Sequence, residues 1–132
     1  MREIKFRGKR VEDNEWIFGY YVVTCDSNRI IYEDYEGFYC EEEVIPESVG
    51  QYTGLRDKNG REIYEGDIVH LSSDDGVDYK ALIVFKDGGF CAIDGSENDY
   101  SVRRYGLSRY DLKVEVIGNI YENPELLEAN DE

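Results

Sequence analysis

Short apolar segments, separated at close intervals by turn-forming residues, recur along the whole chain. Ile4–Arg7 alternates apolar and basic residues, and Trp16–Val23 is a run of aromatic and β-branched residues, so the polar loop between them predicts a first hairpin. Arg29–Tyr32 and Gly37–Cys40 predict a second hairpin, in which Gly37 is free to adopt a positive φ. This spacing favours a small β barrel or sandwich over βαβ units.

The C-terminal half has a similar pattern. Ile68–Leu71 reads as a strand, and Lys80–Phe85 and Phe90–Ile93 flank a predicted two-residue turn at Asp87-Gly88. That turn places Phe85 opposite Phe90, Val84 opposite Cys91 and Ile83 opposite Ala92.

The end of the chain predicts weaker elements. Tyr100–Tyr105 is a weak strand, and Lys113–Tyr121 is a final strand interrupted by Gly118. Asn123 and Pro124 form an N-cap and first-turn pair for a short helix over Glu125–Ala129. Earlier in the chain, Pro46 argues that the segment after the second hairpin is not a central strand.

Residues 52–69, YTGLRDKNGREIYEGDIV, contain a charged turn that two models could explain. A two-residue Asn59-Gly60 turn sets like charges opposite each other, which costs a few tenths to about 1 kcal/mol per pair. A three-residue loop with Gly60 in the left-handed bulge position instead sets Asp57 against Arg61 and Arg56 against Glu62, and we predict this second model. The sequence thus predicts a structural motif, followed by a corner before the next strand, formed by Asp57, Asn59, Gly60, Gly66 and Asp67.

Composition narrows the class of protein. The 132 residues suffice for one domain or two small sub-domains, and a formal net charge of −15 disfavours non-specific binding to phosphate backbones. The basic residues gather at the N-terminus, whereas the middle and the tail are acidic. Three cysteines without a CxxC pair predict reduced, mostly buried thiols. We expect a cytoplasmic protein, because no apolar run is long enough to span a membrane and no secretory signal is evident.

Candidate catalytic chemistry is sparse. His70 is the single histidine, and its position in a predicted strand favours a structural role over that of a general base. Asp57-x-Asn59 opens like a calcium loop, but Arg61 stands where the third oxygen ligand belongs. Carboxylates at Glu41-Glu42-Glu43 and at Asp74, Asp75 and Asp78 could come together in a hard-cation site, but acidic runs are usually only solvated, so a metal-dependent hydrolase is the least favoured function. We therefore predict no catalytic residue, no cofactor and no metal.

Cations and aromatic residues mix at two places, as they do in proteins that bind single-stranded nucleic acid. The first is the basic N-terminus, where Arg7, Trp16, Tyr20 and Tyr21 form a candidate interaction surface. The second is Arg103-Arg104 with its neighbouring tyrosines, Tyr100, Tyr105 and Tyr110. Tyrosines at this density also suit barrel walls and protein interfaces.

Four stretches together resemble the YopX family of small phage and prophage proteins. They are residues 2–8 (REIKFRG), 16–20 (WIFGY), 51–69 (QYTGLRDKNGREIYEGDIV) and 116–127 (VIGNIYENPELL). The resemblance implies a phage or prophage origin, an all-β fold with an SH3-like barrel in the C-terminal part, and assembly into homo-oligomers. It carries over no catalytic residues, and residues 72–80 and 94–112 fall outside it.

These observations give one interpretation and two alternatives. We expect a mostly β protein, with an N-terminal β region over residues 1–48 and an SH3-like small barrel with a short C-terminal helix over residues 49–132. Its expected role is that of a non-enzymatic accessory protein that associates with itself and contacts phage or host proteins. The alternatives are nucleic-acid binding through the basic and aromatic N-terminal face, and an acidic DNA mimic whose carboxylates follow an elongated ridge.

Overall fold

The fold is almost entirely antiparallel β structure, as the sequence predicts. The computed structural model describes residues 3–74, 76, 78–93, 104–106 and 112–128. The chain forms two compact units, Met1–Gly54 and Leu55–Glu132. The division between Gly54 and Leu55 lies within one strand. The sequence suggests a domain boundary a few residues earlier, at 48/49, and that boundary stays a prediction.

The antiparallel strands of the N-terminal unit are β1 (Phe6–Lys9), β2 (Trp16–Thr24), β3 (Ser27–Glu33), β4 (Tyr39–Glu43) and β5 (Gly50–Arg56), whose last two residues belong to the C-terminal unit. In the sheet these five strands follow the order β4-β3-β2-β1-β5. Both predicted hairpins are confirmed, since β1 pairs with β2 and β3 pairs with β4.

Local sequence explains where these strands end. The Asp34 carboxylate accepts hydrogen bonds from the backbone N–H groups of Glu36 and Phe38, both at 2.9 Å, and Gly37 has φ +91° as predicted. After β4 the chain forms a 3₁₀ turn, Pro46–Ser48, which confirms that Pro46 lies outside a central strand. Ile30 and Val44 are fully or almost fully buried in this unit.

The elements of the C-terminal unit are β6 (Glu62–Tyr64), β7 (Asp67–Ser72), β8 (Asp78–Lys86), β9 (Gly89–Ile93), β10 (Arg104–Gly106), β11 (Lys113–Asn119) and the helix α1 (Glu125–Glu128). Five of these strands form an antiparallel sheet with the order β10-β9-β8-β7-β11. One apolar cluster, which includes Ile63, Val69, Leu71 and Ile83, forms its core. The sheet is compatible with an SH3-like barrel, and that finer description stays a prediction.

The β8–β9 hairpin has the predicted register. Asp87 and Gly88 both have positive φ, 53° and 87°, as a type I′ turn requires. All three predicted cross-strand pairs occur, and the rings of Phe85 and Phe90 meet edge to face with centroids 5.1 Å apart.

The end of the chain differs from the prediction in one detail. The register of β11 shifts between Val116 and Gly118, so the predicted interruption is a bulge. The backbone O of Asn123 accepts from the Leu126 N–H at 3.0 Å at the start of the helix, but its side chain does not supply the expected cap, since Oδ1 accepts from the Asn119 N–H at 3.2 Å. Predictions for residues 94–103 and for Ala129 lie outside the described residues.

Candidate interaction surface

One face of the N-terminal sheet exposes large apolar side chains. Alternation along β2 places Phe18, Tyr20 and Val22 on this face, with 48%, 62% and 37% of their surfaces exposed. The strand register adds Ile31 opposite Tyr20 and Arg29 opposite Val22. We call this surface the aromatic face. Contiguous exposed apolar side chains of this size often mark a site of interaction with another molecule.

A hollow of about 480 Å³ lies on the aromatic face. Ile4, Tyr20 and Tyr39 supply its apolar lining, and Glu3, Lys5 and Glu33 supply charged groups. A cavity that joins aromatic rings with a few charges has the chemistry of a site for a partner's side chain. Tyr20 is the only residue of the predicted surface set that lines this hollow.

A second hollow of about 310 Å³ lies on the same face, beside Val22 and Ile31. Its polar lining includes the hydroxyl groups of Thr24 and Ser27, which lie 2.9 Å apart. Arg29 donates a hydrogen bond to Glu41 at its edge, and this carboxylate raises the pKa of the guanidinium. Arg29 and Glu41 therefore neutralise each other within the sheet, and the Asp26 carboxylate accepts a hydrogen bond from the Thr24 hydroxyl at 3.1 Å.

The predicted basic and aromatic residues separate between the two faces. Arg7 lies opposite Phe18, on the aromatic face, with only 6% of its surface exposed. Its guanidinium carbon is 4.6 Å from the centroid of the Trp16 ring. Tyr21 points to the opposite face, where its hydroxyl donates to Asn28 Oδ1 at 2.5 Å. The structure thus brings Arg7, Trp16 and Tyr20 to one face and leaves Tyr21 out.

Neighbouring lysines also lie over aromatic rings. Lys9 Nζ is 5.2 Å from the Trp16 ring centroid, and Lys5 Nζ is 5.3 Å from the Tyr52 ring centroid. Cation–π contacts of this kind hold a cation against a ring. The basic N-terminal segment is therefore engaged with the sheet's own aromatic residues.

The tip of the β3–β4 hairpin was missed by reasoning from sequence. Tyr35, Phe38 and Tyr39 are 96%, 66% and 74% exposed, the largest exposures among the large apolar residues described. The available signal was the presence of three aromatic residues around Gly37, in a turn where polar residues are usual. These side chains extend the exposed apolar area to the edge strand β4.

Asp57 lies in the C-terminal unit and is 7% exposed. The predicted three-residue loop is confirmed, because the Asp57 N–H donates to Arg61 O at 2.7 Å and Gly60 has φ +83°. The Asp57 carboxylate, however, accepts from the backbone N–H groups of Asn59, Arg61 and Val116, each at 2.9 Å. Burial alone would raise the pKa of Asp57, but these three donors outweigh it and hold the pKa below 3.8.

The other residues of the motif also have structural contacts. Asn59 Nδ2 donates to Glu115 Oε2 at 3.3 Å, and Arg56 pairs with Glu62 at 3.5 Å, as the loop model predicts. Asp67 is 1% exposed and accepts from the Tyr64 N–H at 2.8 Å. Gly66 has φ +93° at the corner before β7. We interpret the motif as structural on these contacts.

The next feature concerns the side chains that could act in catalysis or bind a metal, namely His70 and the Cys, Asp and Glu residues. His70 Nε2 lies 2.7 Å from Asp78 Oδ1, on the neighbouring strand. Among the residues that the structure describes, no group of three or more His, Cys, Asp or Glu side chains could hold a metal ion. Within the same residues, no helix is long and apolar enough to cross a membrane.

The thiols correct one expectation. All three cysteines are free, but only Cys91 is buried, Cys40 is half-buried and Cys25 is exposed. The prediction of mostly buried thiols is therefore wrong. Cys25 is exposed because it occupies the turn between β2 and β3, which lies outside any apolar core.

Comparison with known proteins gives consistent results. A family model described as "YopX protein" matches residues 5–128. The SPbeta prophage-derived uncharacterized protein YopX of Bacillus subtilis (strain 168) is 43% identical over 73 residues, which is 53% of this chain and 53% of that protein. The chain thus aligns with about half the length of this curated relative.

Two solved structures share the fold over nearly the whole chain. The crystal structure of protein EF1440 from Enterococcus faecalis is 26% identical, with a TM-score of 0.54, and the match covers 96% of this chain and 99% of that one. The crystal structure of protein yopX from Bacillus subtilis is 20% identical, with a TM-score of 0.53, and the match covers 96% of this chain and 98% of that one.

Proposed function

Since the chain belongs to the YopX family, we propose that it is a non-enzymatic prophage accessory protein. It acts by associating with itself and by contacting other phage or host proteins. The prophage origin of the relative from Bacillus subtilis supports the first part of this proposal.

The observation that carries the proposal is the exposed apolar area of the N-terminal unit. Tyr20, Tyr35, Phe38 and Tyr39 are each more than 60% exposed, and Ile4 is 50% exposed. Protein interfaces are enriched in aromatic anchors that fill pockets on a partner. The hollow between Ile4, Tyr20 and Tyr39 provides a pocket of this kind beside the anchors themselves.

The contacts of the polar groups support a non-enzymatic role. The single histidine is paired with Asp78, a carboxylate, and lies outside both hollows. The Asp57 carboxylate accepts hydrogen bonds from three backbone N–H groups and has a lowered pKa. A carboxylate in that state is a poor general acid near neutral pH.

The proposal is tested by measuring the mass of the purified chain in solution. Light scattering and sedimentation should show a species larger than the 15.4 kDa chain, and the double variant Tyr20→Ser/Tyr39→Ser should shift it toward monomer. Phe85→Ser is the matched control, because Phe85 is also an exposed aromatic residue, 53% exposed, but lies on the β8–β9 hairpin. A chain that stays monomeric at every concentration would refute self-association.

Nucleic-acid binding is the second candidate function. It is favoured by a row of cations at alternate positions, Lys5, Arg7 and Lys9, of which the last two lie over the Trp16 ring. The burial of Arg7 weighs against it, since a buried guanidinium cannot reach a phosphate. The DNA-mimic alternative needs unneutralised carboxylates along a ridge. On β4, Glu41 pairs with Arg29 and Glu42 lies 3.6 Å from Arg10, which weakens that alternative locally.

A further inference from the structure

β4 is the outer strand of the N-terminal sheet, and its hydrogen-bonding groups divide into two sets. The Val44 N–H donates to Asn28 O at 2.9 Å, and the Asp34 N–H donates to Phe38 O at 2.8 Å. In an antiparallel pair the residues of one strand bond alternately to one side and the other. The even-numbered residues of β4 therefore bond to β3, and Tyr39, Glu41 and Glu43 direct their N–H and C=O groups outward.

Only part of this outer edge is covered within the described residues. Glu43 O accepts a hydrogen bond from the Val11 N–H at 3.0 Å, so the chain near Val11 protects that end. The outward backbone groups of Tyr39 and Glu41 have no partner among the residues that the structure describes. An open strand edge is a template for another strand.

We propose that a second copy of the chain pairs with this edge, β4 against β4, in antiparallel register about Cys40. The proposal rests on the self-association proposed above and specifies its interface. Symmetry about Cys40 sets Tyr39 opposite Glu41 of the second copy, and such a pair exchanges both backbone hydrogen bonds. The two-fold symmetry produces this pair twice, once with Tyr39 from each copy. The outward N–H and C=O groups of Tyr39 and Glu41 in both copies are then all hydrogen-bonded.

Charge selects this register over the neighbouring ones. A register centred on Glu41 would set Glu41 directly against its own copy, and like charges in that position repel. A register centred on Tyr39 would set Glu41 against Gly37, which has φ +91° and is not extended. Only symmetry about Cys40 pairs both open residues without opposing carboxylates.

Ion pairs within the sheet reduce the repulsion that two acidic β4 strands would otherwise have for each other. Glu41 already forms an ion pair with Arg29, and Glu42 lies near Arg10, so most of the negative charge of β4 is matched before a copy approaches. Phe38 and Tyr39, which are 66% and 74% exposed, would be covered by the second copy.

The first experiment compares two substitutions at one position by sedimentation. Glu41→Pro removes the outward N–H but no bond to β3, whereas Glu41→Gln removes the same charge and keeps the N–H. We expect the dissociation constant to rise at least about tenfold for Glu41→Pro and to stay within about threefold of the natural chain for Glu41→Gln. Circular dichroism checks that Glu41→Pro is folded.

The second experiment tests the register without disturbing the edge. Residues facing each other in a non-hydrogen-bonded antiparallel pair have Cα atoms about 4.5 Å apart, which a disulfide can bridge. A chain that keeps only Cys40, with Cys25→Ser and Cys91→Ala, should form a covalent dimer under mild oxidation. The control keeps only the exposed Cys25 and should not.

The outcomes separate this inference from the proposed function. Self-association that is equal in Glu41→Pro and Glu41→Gln, without a Cys40 crosslink, would overturn the β4 interface and leave self-association standing. A monomeric natural chain that forms no Cys40 crosslink would overturn both. If Glu41→Pro fails to fold, the Cys40 crosslink alone decides.

Discussion

Asp57 joins two segments that are far apart in sequence. One carboxylate oxygen accepts from Asn59 and Arg61 within the loop, and the other accepts from Val116 in β11, 59 positions later. The Lys58 N–H adds a second link, to Val114 O at 2.9 Å. A single residue thus fixes the shape of the turn and its attachment to the five-stranded sheet.

Asp57→Asn should lower the free energy of unfolding by about 1–3 kcal/mol, because an amide offers one acceptor oxygen in place of two and its NH₂ group would face a donor. Urea unfolding at neutral pH measures the loss, and hydrogen exchange at the Val116 amide should become faster. The control is Glu47→Gln, which alters an exposed carboxylate in the 3₁₀ turn and should change stability little. An unchanged Val116 exchange rate would contradict the assigned role.

The lowered pKa of Asp57 predicts how this stabilisation depends on pH. The unfolded chain binds a proton at Asp57 near the ordinary value of 3.8, whereas the folded chain binds it only at lower pH. Between those values the unfolded state binds more protons, so stability falls as pH falls. The contribution of the carboxylate is present above the ordinary pKa of 3.8 and is lost as the pH falls through the lower pKa of the folded chain. The difference in unfolding free energy between the natural chain and Asp57→Asn should therefore shrink in acid, and a constant difference would contradict this.

At the scale of secondary-structure elements, two turns require glycine for different reasons. Gly60 and Gly66 both have positive φ, 83° and 93°. A Cβ on Gly60 would have no atom within 4 Å, whereas a Cβ on Gly66 would lie 2.9 Å from a ring carbon of Tyr121. The Gly66 corner is also held by hydrogen bonds from its N–H to Ile83 O and from the Ile120 N–H to its own O, both at 2.9 Å.

Alanine substitutions should separate backbone strain from crowding. Gly60→Ala should cost about 1 kcal/mol, because a left-handed conformation is unfavourable for alanine. Gly66→Ala should cost about 1 kcal/mol more, because the Tyr121 ring must move. In a Tyr121→Ala background the two costs should become equal, as thermal or urea unfolding of the natural chain, the three single variants and the two double variants would show. A difference that persists there would assign the extra cost to something other than Tyr121.

Elements defined by local rules were predictable from sequence. The β8–β9 hairpin follows from Asp87-Gly88, and the loop at Gly60 follows from like-charge repulsion in the rival register. The buried contact between Asp57 and Val116 was not predictable, since the two residues are joined only by tertiary structure. The hydrogen bond of the Asn123 side chain was not predicted either, because its Oδ1 accepts from Asn119 in the preceding strand and not from the helix that Asn123 precedes.

The candidate interaction surface was predictable only in part. The alternation of β2 indicates that Trp16 and Tyr20 share a face and that Tyr21 does not, although the three residues looked like one cluster in the sequence. Tyr35 and Phe38 lie between β3 and β4, and Tyr39 begins the outer strand, so their exposure depends on whether another part of the chain packs over them. That packing is tertiary, and no local sequence rule predicts it.

At the scale of the whole molecule, charge decides which large partners can approach. The net charge of −15 produces a field that repels polyanions, and the basic segment that could oppose it contains the buried Arg7. Arg7, Lys9 and Lys5 also lie over aromatic rings of the same sheet. The cations of the N-terminal segment favour binding of nucleic acid, whereas the net negative charge of the chain opposes it. We expect the net charge to dominate.

The chain should show no binding to labelled single-stranded DNA or RNA in fluorescence anisotropy, even at low salt, where electrostatic attraction is strongest. The variant Lys5→Glu/Lys9→Glu should behave like the natural chain. If binding does occur through this segment, the logarithm of the association constant should fall with the logarithm of salt concentration by about 0.7 per phosphate contact. Binding of that kind, lost in Lys5→Glu/Lys9→Glu, would show that local cations prevail and would make nucleic acid the preferred partner.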